Sequence, residues 1–146
     1  MKLTDLQEEW KKDSVINETD LGSESVKTAK LHSKYLSLLS NTRLQVRKAE
    51  SDYLLLRRVK YRYYRGELDQ NELDAKGWDQ WQGIKPIKSE MDEFLSTDQD
   101  LIQLQDKIEY LKTVMYTLES ILKSLNTRTW DIKGAIEWTK FTNGLM

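Results

Sequence analysis

Between Arg57 and Arg65 the chain places five cations (Arg57, Arg58, Lys60, Arg62, Arg65) and three tyrosines (Tyr61, Tyr63, Tyr64) in nine residues. Cations neutralise backbone phosphates, and each neutralised phosphate releases bound counterions. Tyrosine rings offer flat faces on which unpaired bases stack, at about 1–3 kcal/mol per base regardless of base identity. Arginine interleaved with tyrosine is therefore the chemistry of sequence-tolerant single-strand binding. Arg47, Arg57, Arg58, Lys60, Tyr61, Arg62, Tyr64 and Arg65 are the candidate contacts. On a helix Arg58, Arg62 and Arg65 share one face, and Arg47 lies three turns back on nearly the same line. The competing reading is a solvated basic face with the tyrosines in a core. Tyr63, which falls on the apolar seam of the same helix, fits that reading best.

Other chemistries find little support. There is no cysteine, so disulfides, thiolate metal sites and cysteine nucleophiles are excluded. His32 is the only histidine, and no phosphate-binding loop of the Gly-x-x-x-x-Gly-Lys-[Ser/Thr] type occurs. Asp98 with Asp100, and Glu90 with Asp92 and Glu93, could ligate magnesium. They sit near a helix start, where acids complement the dipole instead. No cofactor, metal or catalytic step is expected.

Charge is strongly segregated although the net charge is −1. Residues 43–66 hold eight cations against two acids, and residues 67–109 hold twelve acids against four lysines. Such blocks can offer a polyanion site on one surface and repel polyanions from another. They can equally attract each other, within or between subunits. On that second reading the protein is a structural coiled-coil adaptor without nucleic-acid binding.

The elements that must position these residues are helical. One proline and six glycines in 146 residues permit long uninterrupted helices. Residues 1–22 read as a short helix and linker, with capping-box spacing from Thr4 to Gln7 and an apolar stripe of Leu3, Leu6 and Trp10. The helix either packs back on the body or forms a partner-docking arm. Residues 23–66 read as one long helix, N-capped near Ser23 and ended by Gly66. Its seam runs Tyr35, Leu39, Thr42, Val46, Ala49, Tyr53, Leu56, Lys60, Tyr63. Residues 67–95 form an acidic, irregular connector. There Trp78 and Trp81 lie between Gly77 and Gly83, an arrangement that suits a hairpin as well as a loop. Paired tryptophans of this kind favour a satellite core over a base-stacking site.

Residues 96–146 read as the oligomerisation region, opened by capping-box spacing from Ser96 to Gln99. Leu101, Leu104, Ile108, Leu111, Met115, Leu118, Leu122 and Leu125 alternate at spacings of three and four, a strict heptad seam. Val114 and Ile121 widen it, which favours a higher oligomer or an intrachain bundle over a plain dimer. A break is expected at 126–129, then a last helix whose large apolar residues should be buried between subunits. The fold class is therefore all-α. Long helices form a coiled-coil or helix-bundle arrangement, with one irregular insertion. Neither a signal-peptide run nor a membrane-length apolar stretch is present, so a soluble, intracellular protein is expected.

Particular residues also suggest a family. Met1-Lys2-Leu3-Thr4-Asp5-Leu6-Gln7-Glu8-Glu9 followed by Lys11-Lys12-Asp13 resembles the start of the UvsY recombination mediators of large tailed, T4-like phages. Arg58-Val59-Lys60 followed by Tyr63-Tyr64 is similar to their Lys-Ala-Arg motif with its tyrosine pair. Lys88-Ser89-Glu90-Met91, then Leu95-Ser96 and Asp98-x-Asp100, is similar to the centre of the same family. The resemblance implies single-stranded-DNA binding, displacement of the phage single-strand-binding protein, and loading of a RecA-type recombinase. It implies a homo-oligomeric ring of about six or seven subunits assembled through the C-terminal region, and work in the cytoplasm of an infected bacterium. It assigns DNA contact to Arg58 and Lys60. Arg58 stands where the family motif has lysine, which keeps the charge and adds stacking capacity. Tyr61 and Arg62 stand where an aliphatic residue and an acid are expected.

Overall fold

The computed structural model describes residues 1–144. Five helices follow in order: α1 (Leu3–Asp13), α2 (Leu21–Tyr64), α3 (Gln70–Lys76), α4 (Met91–Ser96) and α5 (Gln99–Thr142). No strand occurs among the described residues, so the hairpin reading of 77–83 gives way to a loop. The chain divides into two compact units: residues 1–45 with 111–146, and residues 46–110. The two 44-residue helices, α2 and α5, each contribute to both units.

In the first unit α1 packs on the body. At 11 residues it is too short to be stable alone in water, so its packing must hold it. Leu6 is fully buried in a cluster with Tyr35, Leu39, Val114, Leu118, Ile121 and Leu125. Burying a leucine of this size contributes about 1.5–3 kcal/mol. Leu3 and Trp10 flank the cluster, and the Trp10 and Tyr35 rings meet edge to face at 5.5 Å. Asp13, at the helix end, accepts from Lys34 Nζ at 2.6 Å and from Tyr35 Oη at 2.7 Å. Of the two readings of this segment, the docked one is observed. The expected Thr4–Gln7 capping box is not: α1 starts at Leu3, and Lys2 at its N-cap makes no side-chain cap bond.

The seam read on α2 is the buried face. Tyr35, Leu39, Thr42, Val46, Ala49 and Lys60 are all buried, and Tyr53, Leu56 and Tyr63 half-buried. The seam read on α5 needs correction. Leu101, Ile108, Leu118 and Leu125 are buried within the chain itself, and so are Val114 and Ile121. The first four are therefore withdrawn as contacts to another subunit, while Leu104, Leu111, Met115 and Leu122 stay partly exposed. The intrachain bundle uses the pattern that an oligomer seam would need. The break expected at 126–129 is also absent. Asn, Thr and Arg lower helix propensity by only fractions of a kcal/mol each, Thr127 Oγ1 donates to the Lys123 carbonyl, and Arg128 is anchored in the interior.

The second unit is closed by its caps. Gly66, at φ 70°, ends α2. Its N–H reaches the Tyr63 carbonyl at 3.0 Å, and the Glu67 N–H reaches that of Arg62 at 2.9 Å, a Schellman arrangement. Asp69 caps α3 by accepting the Glu72 N–H at 2.8 Å. Asp98, not Ser96, caps α5, accepting the Leu101 N–H at 3.0 Å. In the loop between α3 and α4 the Trp81 indole N–H bonds the Ile84 carbonyl at 3.1 Å. That bond folds the ring over Gly83, where any Cβ would overlap it.

Candidate nucleic-acid interface

The basic segment lies on the second-unit part of α2, and its cations divide by surroundings. Arg47 and Arg58 are exposed and have no acid or hydrogen-bond partner among the described residues. Eleven residues apart, they lie on one helix face about 16 Å from each other. Ser51 and the exposed Leu54 and Leu55 lie between them on that side of α2. Arg57 reaches Asp92 at 3.3 Å with the acid almost fully exposed, a pair worth well under about 1 kcal/mol. These three guanidinia can meet a phosphate with little rearrangement.

Arg62 and Arg65 are committed further. Arg62 grips Glu72 with both terminal nitrogens, at 2.8 and 3.2 Å, and also donates to the Glu67 carbonyl. Arg65 Nε meets Glu67 at 2.7 Å, and its guanidinium lies over the Tyr61 ring. The acidic partners raise the basicity of both guanidinia above the ordinary value, first of all through the Glu72 and Glu67 hydrogen bonds. Both arginines remain partly exposed, on the same side of α2 as Arg58.

Lys60 is in a different place altogether. It is 6% exposed, with Nζ 3.2 Å from Asp98, 2.7 Å from Asp100 and 4.1 Å above the Trp78 ring. Around it the rings of Tyr63, Tyr64, Trp78, Trp81 and Phe94 meet at angled contacts of 5.0–6.3 Å. Tyr64 donates to Asp98 at 2.6 Å. Burial raises the Tyr64 hydroxyl's pKa, and the Asp98 carboxylate raises it further. Burial alone would lift the Asp98 carboxyl. Hydrogen bonds from Tyr64, the Leu101 N–H and Lys60 outweigh that and hold it below the ordinary carboxylate value.

Lys60 and Tyr64 are therefore corrected from DNA contacts to parts of the second unit's interior. A buried ammonium needs paired charge, and Asp98 and Asp100 supply it. Tyr61 is half-buried against the Met91, Leu95 and Leu101 cluster. Sequence reasoning places Lys60 on the apolar seam as well as in the motif, and the seam decides. It misses Asp98, Asp100, Glu72 and Trp78 as partners of the basic segment. The signal is there in the adjoining acidic block, whose side chains neutralise much of the basic one. The tryptophan pair forms a satellite core, as its setting between glycines suggests. No group of His, Cys, Asp and Glu arranged to hold a metal occurs among the described residues, and no described helix is long and apolar enough to cross a membrane.

At the end of α5, Trp130 (68%), Trp138 (66%) and Phe141 (58%) are exposed, with Trp138 and Phe141 stacked at 5.7 Å.

The family described as recombination, repair and ssDNA binding protein UvsY matches residues 9–145. The chain is similar to recombination protein uvsY of Enterobacteria phage T4, at 28% identity over 144 residues that span 99% of each chain. It is similar in fold to crystal structures of the bacteriophage T4 recombination mediator protein UvsY. One, of lattice type II, gives a TM-score of 0.83 at 27% identity over 98% of both chains. Another, of lattice type I, gives 0.82 at 27% identity over 94% of this chain and 98% of that one.

Proposed function

Because this chain belongs to the UvsY family of recombination, repair and single-stranded-DNA-binding proteins, we propose that it is a recombination mediator. It binds single-stranded DNA along α2 and promotes loading of a RecA-type phage recombinase onto strands covered by the single-strand-binding protein. No bond is made or broken in this role, and the protein is not an enzyme. It acts as a homo-oligomer of six or seven subunits in the cytoplasm of the infected host. The exposed Trp130, Trp138 and Phe141 supply the apolar surface that subunits would bury on assembly.

The observation that carries the reading is the pair of exposed, unpartnered guanidinia of Arg47 and Arg58, flanked by Arg57, Arg62 and Arg65. A paired surface cation must release its acid before it can neutralise a phosphate. An unpaired one need not. Repeated around an oligomer, a modest site per subunit gains avidity on a continuous strand.

The test is salt-dependent binding of a labelled oligo-dT by Arg47→Ala/Arg58→Ala. Each engaged subunit of this variant neutralises two fewer phosphates, so the slope of log K against log salt should fall in magnitude by about 1.4. Thermal stability should not change. Wild-type affinity and slope in the double variant would remove α2 from the DNA path. The adaptor reading draws on the ion pairs that neutralise Lys60, Arg62 and Arg65 within the chain. It requires that the wild-type protein show no affinity for the strand at moderate salt.

A further inference from the structure

The first unit contains a cation-lined cavity that strand binding along α2 does not use. It has a volume of about 500 Å³ and lies where the end of α1, the start of α2 and α5 meet. Five cations line it: Lys12, Lys27, Lys30, Lys34 and Arg128. Its acids, Asp13 and Glu24, are already engaged. Asp13 accepts from Lys34 and Tyr35, and Glu24 accepts from Lys27 at 3.2 Å and from Arg128 Nη2 at 2.5 Å. Lys34 is matched a second time by Glu9 at 2.7 Å. That leaves Lys12 and Lys30 with no acid partner among the described residues.

Arg128 adds an independent observation. Its side chain is 4% exposed. Nη2 is held by Glu24 and Nη1 donates to the Asp13 carbonyl at 3.2 Å, but Nε–H has no partner. A buried donor left unmade costs about 1–3 kcal/mol. A guanidinium presents its donors in a rigid fork that matches the oxygens of a phosphate. Surplus positive charge, an unspent buried donor and a cavity large enough for a small ligand therefore coincide at one place.

We propose that this cavity is an anion site that takes a phosphate group, with Arg128 as its floor and Lys12 and Lys30 at its rim. Two sources present the same chemistry: a free phosphate or pyrophosphate compound, and a backbone phosphate of a bound strand. The site belongs to the first unit and the candidate DNA face to the second, so the proposal does not rest on recombination mediation.

The experiment titrates the full-length protein with inorganic phosphate, pyrophosphate and a short oligo-dT in parallel, by calorimetry and thermal shift. The variants are Lys12→Ala/Lys30→Ala and, separately, Arg128→Lys. The rim variant removes two unpaired surface cations, so its unliganded melting temperature should match wild type. Saturable pyrophosphate binding by wild type, weakened at least about tenfold in the rim variant, supports a site for free phosphates. Alternatively, the Arg47→Ala/Arg58→Ala protein retains residual oligo-dT binding, and the added rim substitutions abolish it. That result supports a strand phosphate as occupant. The proposal is overturned if no probe binds saturably outside the α2 face, or if the rim variant binds every probe as wild type does.

Discussion

Lys60 in one unit and Arg128 in the other are both buried cations, and they differ in what their partners leave over. Lys60 faces two carboxylates and the face of a tryptophan, with further rings around it. Its charge and donors are spent. Arg128 faces one carboxylate and one carbonyl, and a third donor is left unmet beside a cavity rimmed by lysines. A buried cation that is fully neutralised organises its surroundings, whereas one with a donor in reserve can also receive a ligand. Local sequence does not separate the two cases: Lys60 sits in a basic run and Arg128 between two threonines, and neither setting names the partners. The inventory of partners does.

Breaking the first of these seats should have the larger effect. Lys60→Ala leaves Asp98 buried without its counter-charge, which costs about 3–5 kcal/mol when one partner of a buried pair is removed. Chemical denaturation should show that loss, with early changes in the fluorescence of Trp78 and Trp81. DNA affinity measured well below the new transition should stay within a few-fold of wild type. A strong affinity loss with no stability loss would return Lys60 to the DNA surface.

Arg128→Lys should cost less, about 1–2 kcal/mol, because the charge facing Glu24 survives and the orphaned Nε–H disappears with the guanidinium. The same denaturation measurement tests it. A cost equal to that of Lys60→Ala would mean that the two seats are equivalent after all.

The smallest effect near neutrality is that of pH. The Asp98 carboxyl binds its proton less tightly in the folded chain than its ordinary value of 3.8. Its contribution is therefore complete above about pH 5, and it fades as pH falls through the lower folded value. Asp13 in the first unit is lowered too. Burial opposes that shift, and hydrogen bonds from Lys34 and Tyr35 overcome it. Stability should be flat from pH 6 to 8 and fall below about pH 4, and Asp98→Asn should flatten the acid limb.

The sequence carries the helices well and the long-range partners poorly. The α2 seam from Tyr35 to Tyr63 is legible because a seven-residue rhythm reports directly on a buried face. It even contains Lys60, the residue that the basic motif assigns to DNA. Arg58 is legible as an exposed cation because no acid lies three or four residues from it on α2, whereas Arg47 has Glu50 three residues on and makes no pair with it. The heptad run from Leu101 to Leu125 is legible as a buried face but not as to what buries it, since intrachain and intersubunit packing demand the same periodicity. The break expected at Asn126 rests on propensities of tenths of a kcal/mol, which burial of Leu125 and Ile132 on either side of it overrides. The Glu24–Arg128 pair spans 104 residues. Its members look like an ordinary first-turn acid and a loop arginine until the helices are in register.

Gly83 shows how far a neutral position can reach. The Trp81 ring that lies over it also touches Tyr63, Tyr64 and Phe94, and Tyr64 holds the acid that balances Lys60. A methyl group there would have to displace the Trp81 ring, and with it the packing that holds Tyr64 on Asp98. A glycine at this position should therefore accompany a tryptophan at position 81 among diverging relatives.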